Sequence, residues 1–469
     1  MPDSDAKPAG SLPEKTLFEK ADFIEAEAFF YKFPEIEDID LLLPDTNGIL
    51  RGKRVKRDAL RKVYQEGVPL PGSLFALTIT GDTVESTGLG FDEGDADRFC
   101  WPVSGTLKPA PWQPRPMAQV FMSMFEADRR PFFADPRHVL AQVLTRFQAL
   151  GLTPVVALEL EFYLLDKQRD AMGGPQPPLT GQREHQTQVY GIAELDAYSD
   201  LLDEIDSVAE QQEVPVTSIV AEYAPGQYEI NLQHVPDALA ACDDVVLLKR
   251  LVKAVVSRHD MDATFMAKPY ARHAGNGLHV HISLLDQEGR NVFADPDPLG
   301  NAQLRHACAG LAATMAEGMG LFAPNANSYR RFQSESYVPL SPVWGTNNRT
   351  LALRIPTGAE DSRRVEHRVA GADANPYLLL AALLGGMHYG ITRQLEPAPP
   401  VTGNAYQQVG AGLPVSWQDA LTAMDQATIL PEYLGVDFWR VYRANKRHEW
   451  QLFNQHVSPL EHSWYMSAL

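Results

Sequence analysis

The sequence predicts an α+β chain in two parts, and three patterns carry that reading. Stretches with apolar residues at helical spacing alternate with short segments that switch polar and apolar residues, the pattern of helices packed on an antiparallel sheet. Residues 67–118 are rich in Gly and Pro and lack helical periodicity, so small strands and loops are expected there. A strong helix start at Asp135-Pro136 then opens a more regular region. The expected division is a loose tail over 1–16, a small domain over 17–130 and a large domain over 131–469.

Taken in order, a helix is expected over Leu17–Lys32. Glu37–Leu43 and Ile49–Val55 flank Pro44-Asp45-Thr46-Asn47-Gly48, two runs around an Asn-Gly turn that read as a β-hairpin. After Asp135, the residues Val139, Leu140, Val143, Leu144, Phe147 and Leu150 recur at helical spacing until Gly151 stops them. Further helices are expected at Ala193–Gln212, Asp237–Asp260, Ala302–Met319, Pro376–Leu395 and Ser416–Thr428.

Composition narrows the function classes. A net charge of −19 over 469 residues argues against a nucleic-acid or anionic-membrane surface, and is compatible with a cationic substrate or bound metal ions. Cys100, Cys242 and Cys308 are too few and too scattered for a disulfide framework or a zinc cluster, and read as reduced thiols. Met1–Lys15 has no apolar signal core, and the longest apolar run, Leu378–Leu384, is far short of the roughly 20 residues that span a bilayer. The expectation is a cytoplasmic chain with neither membrane nor nucleic-acid partner.

Four segments place polar side chains on one strand face, because residues i and i+2 of a strand point the same way. In Val156–Leu164 the apolar residues take one face and Glu159 and Glu161 the other, about 6.6 Å apart. His279, His281 and Ser283 oppose Leu278, Val280 and Ile282. Gln227, Glu229 and Asn231 oppose Tyr228, Ile230 and Leu232, and a Pro225-Gly226 turn could return Glu222 to the same side. Arg364, Glu366 and Arg368 share a fourth face. Any one segment equals a half-buried strand with its polar face in water. Together, Glu159, Glu161, Glu222, Glu229, Glu366 and His279 form an oxygen-rich donor set that suits Mg²⁺ or Mn²⁺.

Arginines gather nearby: Arg330, Arg331, Arg349, Arg354, Arg363, Arg364 and Arg368. Arg330 and Arg363 are expected to be solvated surface groups. The others, beside carboxylates and metals, describe a site for phosphoryl transfer from ATP.

At these residues the chain resembles the glutamine synthetase family over residues 33–469. The matching motifs are Glu159-Leu160-Glu161-Phe162, Gly226-Gln227-Tyr228-Glu229 with Glu222 upstream, and Gly275-Asn276-Gly277-Leu278-His279-Val280-His281. Asn327-Ser328-Tyr329-Arg330-Arg331, Asn348-Arg349 through Arg354-Ile355-Pro356, and Arg364-Val365-Glu366-His367-Arg368 with Asn375-Pro376-Tyr377 complete them. The resemblance implies a small N-terminal β-grasp domain, a catalytic α+β domain with a curved antiparallel sheet, and a homo-oligomer, a dodecamer with shared active sites. It implies two or three Mg²⁺ or Mn²⁺ ions per site, one held by Glu161, Glu222 and Glu229 and another by Glu159, His279 and Glu366. Arg331 and Arg368 would bind glutamate, with Gly275 in the loop beside them. Arg349, Arg354 and Arg364 would face the ATP phosphates, with His281 and Ser283 along the nucleotide. Arg331, Arg349 and Glu366 would serve catalysis of a ligation through γ-glutamyl phosphate.

The departures concern the acceptor. Six positions after Arg331, where ammonia-using members carry an acidic flap residue, stands Tyr337. Their N-terminal loop aspartate is replaced here by Ala76, and the Asn-Gly pair of the glutamate loop reads Ala274-Gly275. An aromatic residue suits a larger amine, so the pattern resembles the γ-glutamylpolyamine synthetases, with Tyr337 as an amine-binding residue. Glu335 reads as an exposed loop charge that could also meet a distal ammonium. The alternatives are an ordinary ammonia-using glutamine synthetase and a catalytically inactive structural or regulatory ring. Tyr406 lies roughly where some relatives are adenylylated, but in a different context, and no such control is expected.

Overall fold

The computed structural model describes residue 18 and residues 21–171, 173–178 and 189–469. The expected tail over 1–16 lies outside them, as does most of the start of the first expected helix. That helix runs over Phe23–Lys32, opened by the Asp22 carboxylate, which accepts from Ile24 N–H.

Two sheets organise the described residues. The first has six strands and contains the expected hairpin: Asp38–Pro44 pairs antiparallel with Leu50–Lys56 around the Asn-Gly turn. Asp38–Pro44 also pairs in parallel with Met117–Phe125, which continues through Asp97–Pro102 to Val68–Pro71. The helices Phe23–Lys32 and Arg57–Glu66 bring Phe30, Leu60, Val63 and Tyr64 into its apolar cluster.

The second sheet has eight strands. Its path runs Trp344–Thr346, Leu353–Ile355, Val365–His367, Leu278–Leu285, Thr153–Asp166, Gln227–Leu232, Val216–Ala221, with Met261–Thr264 also on Thr153–Asp166. Every pair is antiparallel except Trp344–Thr346 with Leu353–Ile355. Strand alternation works here as expected. Val156, Leu158, Leu160, Phe162 and Leu164 are fully buried against the helices Pro136–Ala149, Ala238–Arg258, Ala302–Phe322 and Pro376–Arg393, leaving the opposite face for polar side chains. The last two helices approach closely because glycines line the contact: a Cβ at Gly310 would lie 2.1 Å from the Gly386 carbonyl oxygen.

Two expectations need correction. The helix expected over Ala193–Gln212 is split into Ile192–Asp196 and Ser199–Gln211. The Glu194 carbonyl, which a continuous helix would offer to the Tyr198 N–H, instead accepts from the Tyr228 hydroxyl at 2.8 Å. Secondly, a 20-residue helix spans Val436–Gln455 where none was expected. Its buried stripe turns from Phe438, Trp439, Val441 and Tyr442 to Asn445, Lys446 and Glu449. Those polar residues hold the N-terminal loops: Asn445 donates to the Leu77 carbonyl, Lys446 to Asn47, and Glu449 accepts from Ile79 N–H. Asn375, the cap of the Pro376–Arg393 helix, donates to the Asp45 carbonyl at 3.0 Å and ties the hairpin turn to the same framework. Among the described residues no helix is long and apolar enough to cross a membrane, and all three cysteines are free and buried.

Candidate active site

The register of the eight-stranded sheet gathers the polar residues. Glu161 stands directly opposite Glu229, and Glu159 stands between Asn231 and His279 in one cross-strand row. In the neighbouring row His281 faces Glu366, which in turn faces Arg354. Glu222 reaches the same side because the turn before Gln227 closes tightly: Glu222 N–H donates to the Gln227 carbonyl at 2.8 Å, and Gly226 takes φ 73°.

Two tight donor groups result, Glu159–His281–Glu366 and Glu159–Glu229–His279, each with its ligand atoms within 4.8 Å of one another. Glu159 belongs to both, whereas the resemblance separated Glu161, Glu222 and Glu229 from the set containing Glu159. Burial disfavours the Glu159 charge, but hydrogen bonds with His279 (3.3 Å) and His281 (2.8 Å) more than offset it and hold the carboxyl well below the usual range. The His281 tautomer follows: Nε2–H donates to Glu159, while Nδ1 accepts from Arg364 Nε at 3.1 Å.

The other carboxylates lack such partners. Burial, then the Glu161 charge, raises Glu222, with Arg349 opposing. Burial and the charges of Glu161, Glu159 and Glu222 raise Glu229 further. Glu161 itself accepts from Gly277 N–H at 2.7 Å and from Gln227 at 3.5 Å. This is mutual repulsion among hard oxygen donors, and a bound divalent cation would relieve it, so the residues fit the metal that the family implies.

Glu366 behaves differently. It accepts from Arg354 at 2.6 Å and from Arg368, and despite burial the charges of Arg368, His281 and His279 lower it to about 2. Arg331 and Arg368 are also buried, and Arg331 donates to the Val369 carbonyl at 2.9 Å. The Nε of Arg331, Arg354 and Arg368 has no partner within the described residues, so each is a buried donor that an anionic ligand would satisfy. Gly275 packs directly on Arg331: a Cβ there would come 2.6 Å from Arg331 Cγ.

Arg364 and His281 line one cavity of about 440 Å³ with Glu159, Asn231 and His234. Arg349 lies apart from them, exposed in a cavity of about 610 Å³ with Glu335, Tyr337 and Tyr406. Ser283 shares the His281 face but stands opposite Val155, two residues towards the strand's far end. Ala76 is fully buried in the N-terminal apolar cluster. Arg330 is exposed as expected. Arg363 is not: where the turn Glu360–Ser362 ends, it is buried and donates to the Asp295 carbonyl at 3.1 Å.

Sequence reasoning missed Gln227 as a linker, although its strand face was identified. It joins the Gly275–Asn276 loop to the carboxylates by donating to the Gly275 carbonyl (3.0 Å) and to Asn276 (3.1 Å). It also missed His234, whose ring lies 5.8 Å from that of His281. His234 sits just past the end of its strand, so periodicity gave no signal for it.

A family model described as glutamine synthetase, catalytic domain, matches residues 133–465. The chain is 44% identical to gamma-glutamylputrescine synthetase PuuA of Escherichia coli (strain K12), over 94% of each chain. It is 32% identical to glutamate–isopropylamine ligase of Pseudomonas sp., over 97% of this chain and 99% of that one. A solved structure, the GmaS/ADP complex, superimposes with TM-score 0.81 at 26% identity, covering 94% of this chain and 99% of that one. With the carboxylate–histidine–arginine face in the order its motifs require, the chain belongs to the glutamine synthetase family.

Proposed function

We propose that this protein is an ATP-dependent ligase that joins the γ-carboxylate of glutamate to an organic amine, a polyamine such as putrescine or spermidine. One observation carries the chemistry: a repelling carboxylate group lies on one sheet face, and Arg354 on that sheet, Arg368 just past its strand and Arg331 packed on the Gly275 loop each have an unsatisfied Nε. Such a face is built for metal-bound polyphosphate and for carboxylates. Similarity to enzymes named for putrescine and isopropylamine, with Tyr337 in place of a flap acid, supports an amine over ammonia.

In this reading Glu161, Glu222 and Glu229, with Glu159, His279 and Glu366, hold two or three Mg²⁺ or Mn²⁺ ions, which would neutralise the ATP phosphates. Arg331 and Arg368 hold glutamate against the Gly275 loop. Arg349, Arg354 and Arg364 hold the phosphates, with His281 and Ser283 along the nucleotide. A γ-carboxylate oxygen attacks the terminal phosphorus and ADP leaves. The amine nitrogen then attacks the acyl carbon, inorganic phosphate leaves, and the nitrogen gives up a proton. The N-terminal sheet corresponds to the β-grasp domain of 17–130 and the remainder to the catalytic domain of 131–469. The enzyme works in the cytoplasm as a homo-oligomer, a dodecamer.

Phosphate release from ATP and glutamate with ammonia, putrescine, spermidine or ethanolamine tests this. The expected result is a higher kcat/KM for an organic amine than for ammonia. Ammonia exceeding every amine would make the protein a glutamine synthetase, and no release with any acceptor would make it inactive.

A further inference from the structure

The cavity of about 610 Å³ beside Arg349 has an unusual wall. Nine non-glycine residues take positive φ among the described residues, and three of them line this cavity: Glu335 at 60°, Tyr337 at 57° and Asn347 at 44°. Left-handed conformations at such residues persist where surrounding structure holds them, and they gather where a side chain must be aimed. The structure that holds this turn is visible. The Tyr406 hydroxyl donates to the Val338 carbonyl at 2.9 Å, one residue beyond Tyr337. Just past it, Gly412 and Leu413 N–H both donate to the Leu340 carbonyl at 2.9 and 3.0 Å.

The cavity also adjoins the chemistry. Asn347 on its wall accepts from Arg354 at 3.2 Å, and Arg354 in turn donates to Glu366 at 2.6 Å. Glu335 is the one acidic residue lining it. Tyr337 is 56% exposed, so its ring is available to cover an alkyl chain.

We infer that this wall reads the far end of a diamine: Glu335 accepts its distal ammonium, Tyr337 covers its methylenes, and Tyr406 is the positioning residue that holds both in place through Val338. This deepens the ligase reading and rests on it. Arg349 on the same wall repels a second cation, so Glu335 decides whether a charged tail is welcome.

The test compares 1,4-diaminobutane with butylamine, which differ in the far ammonium, using the full-length protein with ATP and glutamate. Glu335→Gln should lower the diamine-to-butylamine ratio of kcat/KM by about tenfold, the loss of one charge-assisted contact. Tyr406→Phe keeps the ring and removes the tie, and should lower the same ratio by about threefold. The double variant should do no more than Glu335→Gln alone, because Tyr406 acts through Glu335. A ratio unmoved by Glu335→Gln overturns the inference. So does a Tyr406→Phe variant in which both amines fall equally, since that is a general structural role. If the unsubstituted protein uses ammonia better than either amine, the ligase reading itself falls. A diamine preference that survives both substitutions removes this wall's role and leaves the ligase standing.

Discussion

On the half of the sheet face formed by Thr153–Asp166 and Gln227–Leu232, burial and like charge push Glu222 and Glu229 above the usual carboxylate range. On the half formed by Val365–His367 and Leu353–Ile355, Arg354 and Arg368 both donate to Glu366, and despite burial the charges of Arg368, His281 and His279 bring it down to about 2. Both halves use the same device, charged residues at alternate positions. They differ in what the sheet register places across from each. Glu161 meets Glu229, an acid against an acid, while Glu366 meets Arg354 and His281. In the first half a cation from outside would relieve the repulsion. The second is neutralised by the chain itself and orients its arginines before any ligand arrives.

Breaking each half should therefore give opposite stability effects beside the same loss of catalysis. Glu366→Ala leaves buried Arg368 without its acceptor and half-buried Arg354 with Asn347 alone, and should cost about 3–5 kcal/mol of stability. Glu229→Gln removes a repelling charge, so the chelated protein should melt at the same temperature or higher. Both variants should lose ligation. Adding Mg²⁺ or Mn²⁺ should raise the melting temperature of the unsubstituted protein, and much less that of Glu229→Gln, because a cation that binds the folded state stabilises it. Melting curves with and without chelator decide this. A Glu366→Ala protein as stable as its parent would show that the arginine clamp contributes nothing.

The contrast also marks how far the sequence could be read. The shared faces of Glu159 with Glu161 and of His279 with His281 follow from a period of two, which is local information. Which acid meets which arginine depends on register between strands distant in sequence, and periodicity says nothing about that. Arg363 shows the same limit: beside Arg364 it resembled a surface arginine, yet it is buried against the Asp295 carbonyl, a partner distant in sequence. The Val436–Gln455 helix was hidden for a different reason. The second half of its buried stripe is Asn445, Lys446 and Glu449, polar residues satisfied by loops from the other end of the chain. Binary patterning cannot identify a polar stripe as a packed face.

The arginines sharpen the comparison at lower amplitude. Arg331 and Arg354 both carry an unpartnered buried Nε, but Arg331 packs on the Gly275 loop and Arg354 on Glu366. Arg331→Ala should raise the KM for glutamate, and Arg354→Ala that for ATP, each by about ten- to a hundredfold, the loss of a charge-assisted contact. Steady-state kinetics at saturating co-substrate separate the two. If both variants raised the same KM, the division of labour between Arg331 and Arg354 would be wrong.

The smallest expected effect concerns Arg349, the basic group that opposes the raised Glu222. Tyr337 shares the Arg349 cavity, and Glu335 shows that a glutamate tolerates a φ of 60° in this turn, so Tyr337→Glu should fold. The new carboxylate would supply the flap acid that the ammonia-using pattern requires, and would also compete for Arg349. The first effect favours a small cation. The second withdraws compensation from Glu222 and lowers the overall rate. The net expectation is a shift of about three- to tenfold in the ammonia-to-putrescine ratio of kcat/KM, with a fall in kcat for both. Restoring the second acid at Ala76 would not extend the shift. Ala76 is fully buried among Phe75, Phe132 and their neighbours, and an aspartate there would cost several kcal/mol before reaching any amine. Ratios measured on Tyr337→Glu and on Tyr337→Glu/Ala76→Asp test both parts. An unmoved ratio in the single variant would show that the acceptor is chosen elsewhere than at this turn. A stable double variant with a larger shift would place the N-terminal loop, and not the flap, in control of the amine.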